Sequence, residues 1–165
     1  MGTRLFAMLL VIGGLSAGGL PAYAEGPKPP HQSVELSPGL LDLLRGEMRE
    51  IAGGMQDIAL SLATADWKAI QETSAKMRAS YILEKQLTPA QEKELAEALP
   101  ERFKQLDAEF HQRAERLGSA AAAHDPELVA FQYSRLVESC AVCHAAFARS
   151  RFPGFAPPAQ EGHQH

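Results

Sequence analysis

Cysteine is almost absent from this 165-residue chain. Cys140 and Cys143 are its only two, and a disulfide between them would link neighbouring turns of one helix and constrain almost nothing. Positive charge is not in excess either: Lys and Arg number 16 against 20 Asp and Glu, a formal net charge of -4. With no basic cluster and no aromatic–basic interleaving, nucleic acid is not an expected partner, and the mild acidity suits a chain that meets a basic patch on another protein. No segment has the ~20 consecutive apolar residues that a membrane span needs. Internal repeats are missing, and no methionine occurs after Met77.

The N-terminus carries the one pronounced apolar run. Arg4 precedes Leu5 to Leu15, glycines interrupt the stretch at 13, 14, 18 and 19, and Ala22-Tyr23-Ala24 offers a small-x-small cleavage site before Glu25. Residues 1–24 therefore read as a secretory signal peptide, and export is expected. Residues 25–36, with Pro27, Pro29 and Pro30, read as a flexible Pro-rich lead-in. The stretch 37–151 is long enough for one domain with one core. Pro153-Gly154 and Pro157-Pro158 break a polar C-terminal stretch, so 152–165 reads as a flexible tail.

Within the domain the apolar period is helical throughout. Ser37-Pro38 reads as N-cap and first helical residue, and Leu44, Met48, Ile51, Met55, Ile58 and Leu62 recur at spacings of three and four, predicting a helix over 38–63. Arg45, Glu47, Arg49, Glu50 and Asp57 fall off that stripe. Trp67, Ile70, Ser74, Met77 and Tyr81 predict a second helix over 66–84, capped by Asp66 or Thr64. Thr88-Pro89-Ala90-Gln91 has the form of a capping box opening a short helix that stops before Pro100. Phe103, Leu106, Phe110, Ala114 and Leu117 mark a third long helix running toward Ala123. Asp125-Pro126 opens a fourth, with Val129, Tyr133, Leu136, Cys140, Cys143 and Phe147 on one stripe. The expected fold is all-α, an antiparallel four-helix bundle, whose core is a usual place for a cofactor.

Chemistry concentrates in Cys140-Ala-Val-Cys143-His144, the attachment signature of a c-type haem. Three residues of helix separate the sulfurs by about 4.5 Å along the axis on one face, so each can form a thioether to a haem vinyl group while His144 reaches the iron. Competing uses fit less well. A thioredoxin-like pair needs a preceding strand, which the pattern lacks, and zinc needs further ligands such as His111 or His124 with no paired spacing.

With these helices and this motif near the end of the last one, the chain resembles the class II c-type cytochromes, the cytochrome c′ family, over roughly Leu40 to Phe147. The resemblance implies one covalent haem c with iron, attached outside the cytoplasm, in the periplasm. It implies Cys140 and Cys143 as covalent anchors, His144 as proximal iron ligand, and Met48 at the position over the open haem face. Methionine there is associated with six-coordinate low-spin iron, leucine with five-coordinate iron. Relatives often carry arginine where this chain has Leu44, beside Arg45, and a basic residue where it has Ala148, before Arg149, two departures that bear on which basic groups hold the haem propionates. Family members often dimerise, so a homodimer is one expected assembly.

Helix geometry separates the methionines. If the first and last helices lie antiparallel and flush, His144 faces Leu44, with Met48 about 6 Å and Met55 about 16 Å away along the axis. Met48 is the expected distal ligand, a register shift of one turn promotes Leu44, and His111 is the alternative sixth ligand; Met55 and Met77 read as core. The leading expectation is a periplasmic monohaem electron carrier with no enzymatic activity and with redox proteins as partners. The alternatives are a gas-binding haem protein with an open distal side and a haem-free helical interaction module.

Overall fold

The computed structural model describes residues 32–156, all of whose regular structure is helical; the expected signal peptide, most of the lead-in and the last part of the tail lie outside the described residues. Six α-helices follow in order: α1 Pro38–Ala63, α2 Trp67–Arg78, α3 Leu83–Gln86, α4 Pro89–Ala98, α5 Glu101–Ala122 and α6 Pro126–Phe147, with a 3-10 turn at Pro153–Phe155. The four long ones, α1, α2, α5 and α6, form the four-helix bundle. Short turns at 64–66 and 123–125 make α1–α2 and α5–α6 antiparallel hairpins, α2 packs on α5, and α1 meets α6 along the sparsest of the four seams.

The core is the one the helical period lays out. Ile58, Ile70, Met77, Leu117, Val129 and Leu136 are fully enclosed, each contributing about 1.5–3 kcal/mol by leaving water. Polar side chains set the ends. Asp66 accepts from the Ala69 N–H at 3.0 Å, Asp125 from the Leu128 N–H at 2.9 Å, and Thr88 with Gln91 completes the capping box on α4. Ser37 behaves differently from a capping serine: its backbone N–H and hydroxyl donate to the Glu94 carboxylate at 2.6 and 2.9 Å, tying the start of α1 to α4. Arg113 clasps α5 to α6, donating to the Arg135 carbonyl at 2.6 Å and pairing with Glu109 and Glu138.

Two sequence expectations need correction here. The second helix stops at Arg78, not near 84, because Ser80 takes a left-handed φ of 56° and the chain turns. Glu47, off the apolar stripe of α1, is 2 % exposed, and its carboxylate accounts for the turn. It accepts backbone N–H groups from Tyr81 at 2.8 Å, Ile82 at 2.6 Å and Leu83 at 3.2 Å, donors that would otherwise lack partners where α2 has ended. Gly54 lets this region close up: a Cβ there would lie 2.5 Å from the Tyr81 hydroxyl and 2.7 Å from Met77 Cε.

Candidate functional site

The turn held by Glu47 opens the connector 79–100, which carries α3 and α4 and builds a wall of a cavity. The cavity has a volume of about 480 Å³ and lies between Leu44, Met48 and Ile51 of α1, Leu83, Leu87, Leu95 and Leu99 of the connector, and Phe103, Asp107 and His111 of α5. Its size falls within the ~300–1,000 Å³ common for ligand and cofactor sites, and its lining is mainly apolar with a few polar groups, as such sites are. The length of the connector, unusual for a plain bundle, thus has a structural use. No side chain of α4 is buried in the core; its Leu95, and Leu99 just after its end, face the cavity instead.

The cavity sorts the methionines. Met48 lines it and is 39 % exposed, whereas Met55 and Met77, at 9 % and 0 %, pack in the core. Leu44, one turn before Met48, lines the same wall. His111 also reaches the cavity, with Nδ1 2.8 Å from the Met77 carbonyl oxygen and Nε2 3.6 Å from the Asp107 carboxylate. His124 does not line the cavity and stacks on Trp67 with ring centroids 5.9 Å apart. His31, His163 and His165 lie outside the described residues.

On α6 the Cys140, Cys143 and His144 side chains are half-buried, and both cysteines are free thiols. Burial, and then the Asp107 carboxylate, push the Cys143 thiol up to about 11, while burial raises Cys140 as well. Asp107 therefore links Cys143 to the cavity: it lines the one and raises the other. Thiols held protonated are poor exchange nucleophiles, which is the reverse of a thioredoxin-like pair, whose reactive cysteine has a lowered pKa. Burial lowers His144, which favours the neutral imidazole that a metal ligand must be. Beyond the cysteines, Phe147 packs on Phe103 at 5.2 Å.

The far side of His144 is covered by residues that the sequence pattern does not single out. Where composition predicts a loose tail from 152, Phe152 stacks on the His144 ring, centroids 4.5 Å apart and planes 21° apart, and Phe155 stands edge-on at 6.5 Å. The only sequence signal for this was a pair of aromatics flanking Pro153-Gly154 in a polar stretch. Asp107 and the leucines of the connector were equally silent, since neither belongs to a motif.

A helical bundle with the thiols and imidazole of the attachment motif on its last helix defines a haem c protein; no residue of α6 lines the cavity, which meets that helix through Asp107 and Phe103. The family profile described as Cytochrome C' matches residues 39–148, and the chain belongs to the cytochrome c′ family. No curated protein and no solved structure gives a match. The cofactor of this family is haem c, covalently bound and containing iron. The residues present fit it: two thiols on one helix face, a half-buried imidazole next to them and a mainly apolar cavity on the neighbouring helices. Cys140 and Cys143 would hold the haem through thioethers, His144 would offer its imidazole, and the leucines of α1 and the connector would exclude water. When bound, the haem supplies a one-electron iron couple.

Proposed function

We propose that the protein is a periplasmic monohaem electron carrier, not an enzyme, with His144 as proximal ligand and Met48 as distal ligand. One observation carries the choice of Met48: of the three methionines beyond residue 24, it alone lies on the cavity wall, while Met55 and Met77 are in the core. Thioether ligation raises the potential and keeps the iron low spin, which suits transfer to redox proteins. Periplasmic location rests on the leader-like residues 1–24; among the described residues no helix is long and apolar enough to cross a membrane.

A second reading is supported by Leu44, which shares that wall one turn away. With Leu44 over the iron the haem would be five-coordinate, and the protein would bind diatomic gases such as nitric oxide or carbon monoxide. The absorption spectrum of the oxidised and reduced protein separates the two. A low-spin wild type that Met48→Ala converts to high spin, with faster carbon monoxide binding and a lower potential, supports the carrier. Met55→Ala should cost about 2–5 kcal/mol of stability with the spectrum kept. A high-spin wild type, or a low-spin spectrum unchanged in Met48→Ala, makes Met48 a wall residue and moves the gas-binding reading ahead.

A further inference from the structure

The geometry points to Phe152 as a positioning residue that fixes the plane of the His144 imidazole by stacking, in place of a hydrogen bond. The inference deepens the proposed function and rests on its reading of His144 as an iron ligand. A histidine that binds a metal through one nitrogen is ordinarily held by a hydrogen bond from the other, to a carboxylate or a carbonyl. Among the described residues no hydrogen bond reaches either ring nitrogen of His144, and the rings of Phe152 and Phe155 pack against it instead. Helix α6 fixes the Cα and Cβ of His144, but χ2 of a histidine is a broad, soft torsion, so something else must set the ring plane. A nearly parallel ring against one face does this, because turning the imidazole would drive its edge into the phenyl ring.

The backbone shows that this ring is delivered to its place. Ala148 N–H donates to the His144 carbonyl, and the N–H groups of Arg151 and Phe152 both donate to the Ala148 carbonyl at 3.0 Å, so the chain folds back immediately after α6. Pro153 begins a 3-10 turn closed by Phe155 N–H to the Phe152 carbonyl at 3.1 Å, which brings the second ring edge-on. Arg151 lies over the Phe152 ring, its guanidinium carbon 5.9 Å from the centroid, bracing it from the same turn. Stacking orients without donating charge, so His144 keeps the donor strength of a plain imidazole instead of gaining the basicity that a carboxylate partner confers.

The test uses the full-length, haem-loaded ferric protein and the proton resonances of its four haem methyl groups, whose spread of paramagnetic shifts depends on the plane of the axial imidazole. Phe152→Ala should contract that spread and make it more temperature-dependent as the ring gains freedom. Phe152→Tyr, which keeps the stack, should restore the wild-type pattern, while Phe155→Ala should move it less than Phe152→Ala does. Phe152 is partly exposed near the end of the domain, so loss of fold does not confuse the result. Unchanged methyl shifts in Phe152→Ala overturn the inference, provided His144→Ala alters them in the same preparation. Methyl shifts indifferent to His144→Ala overturn the ligation reading, and this inference with it.

Discussion

Glu47→Ala should be among the most damaging single substitutions outside the apolar core. The carboxylate is 2 % exposed and accepts three backbone N–H groups at 2.8, 2.6 and 3.2 Å from a turn 34 to 36 residues away. Hydrogen bonds to charged groups contribute about 1.5–3 kcal/mol each, but the three share one desolvation cost and the turn is half-buried, so water can replace part of what is lost. A net loss of about 3 kcal/mol is expected, which in a domain of this size lowers Tm by roughly 10 °C. Glu47→Gln keeps the volume and one accepting oxygen but aims an NH2 group at the remaining donors, so it should lose about half as much. Glu50→Ala, exposed on the same helix, serves as the control and should stay within about 0.5 kcal/mol of wild type. Circular dichroism melts of the haem-loaded proteins measure all three. If Glu47→Ala melts with the wild type, the turn is held by other contacts and the carboxylate is incidental.

Adjacent glycines in α1 should respond in opposite directions to alanine, read by urea unfolding. Gly53→Ala has nothing within 4 Å of the new Cβ and should gain up to ~1 kcal/mol of helix propensity, whereas Gly54→Ala collides with Tyr81, Met77 and Thr73 and should lose about 1–3 kcal/mol. Burial first, then the carboxylates of Asp57, Glu50 and Glu47, hold the Tyr81 phenol above its usual 10.0. The unfolded chain ionises there first, so this contribution is complete below pH 10 and is lost as pH rises further; Tyr81→Phe should soften the alkaline fall in Tm. Acid–acetone extraction should leave the haem on the polypeptide by intact mass, and release of free haem would contradict thioethers at Cys140 and Cys143. Asp125→Ala should cost ~1 kcal/mol by uncapping α6, visible as a lower urea midpoint with an unchanged Soret band.

The elements legible in the sequence are those whose cause is local. Pro38, Pro89 and Pro126 mark helix starts, the three-and-four spacing marks α1, α5 and α6, and Cys140, Cys143 and His144 lie within one helical turn or so of each other. Rise per residue separates Met48 from Met55 by reach along α1; that one lies on the cavity wall and the other in the core is a matter of packing that the structure adds. What escaped has non-local causes. Glu47 reads as a solvent-facing charge because its partners are main-chain donors on the turn after α2, 34 to 36 residues away and invisible to any periodicity. For the same reason α2 appears six residues too long: Tyr81 continues the apolar spacing, but the backbone there is committed to Glu47. Phe152 escaped because Pro153 and Gly154 signal a chain break, and they say nothing of which way the broken chain then turns.

Glu47 and Met48 are consecutive, and on a helix that step is a turn of about 100°. The Glu47 carboxylate holds the connector turn and Met48 stands beside it on the cavity wall, so the two side chains together fix the roll of α1. Rotating the helix to present a different side chain to the cavity would pull the carboxylate off three donors at once, and sliding it to exchange Met48 for Leu44 would take about 6 Å. The environment on that wall can therefore change by substitution at 44 or 48, but not by movement of α1. Variants at these two positions can be compared on a common frame, as if the bundle were a fixed socket into which different ligands are placed.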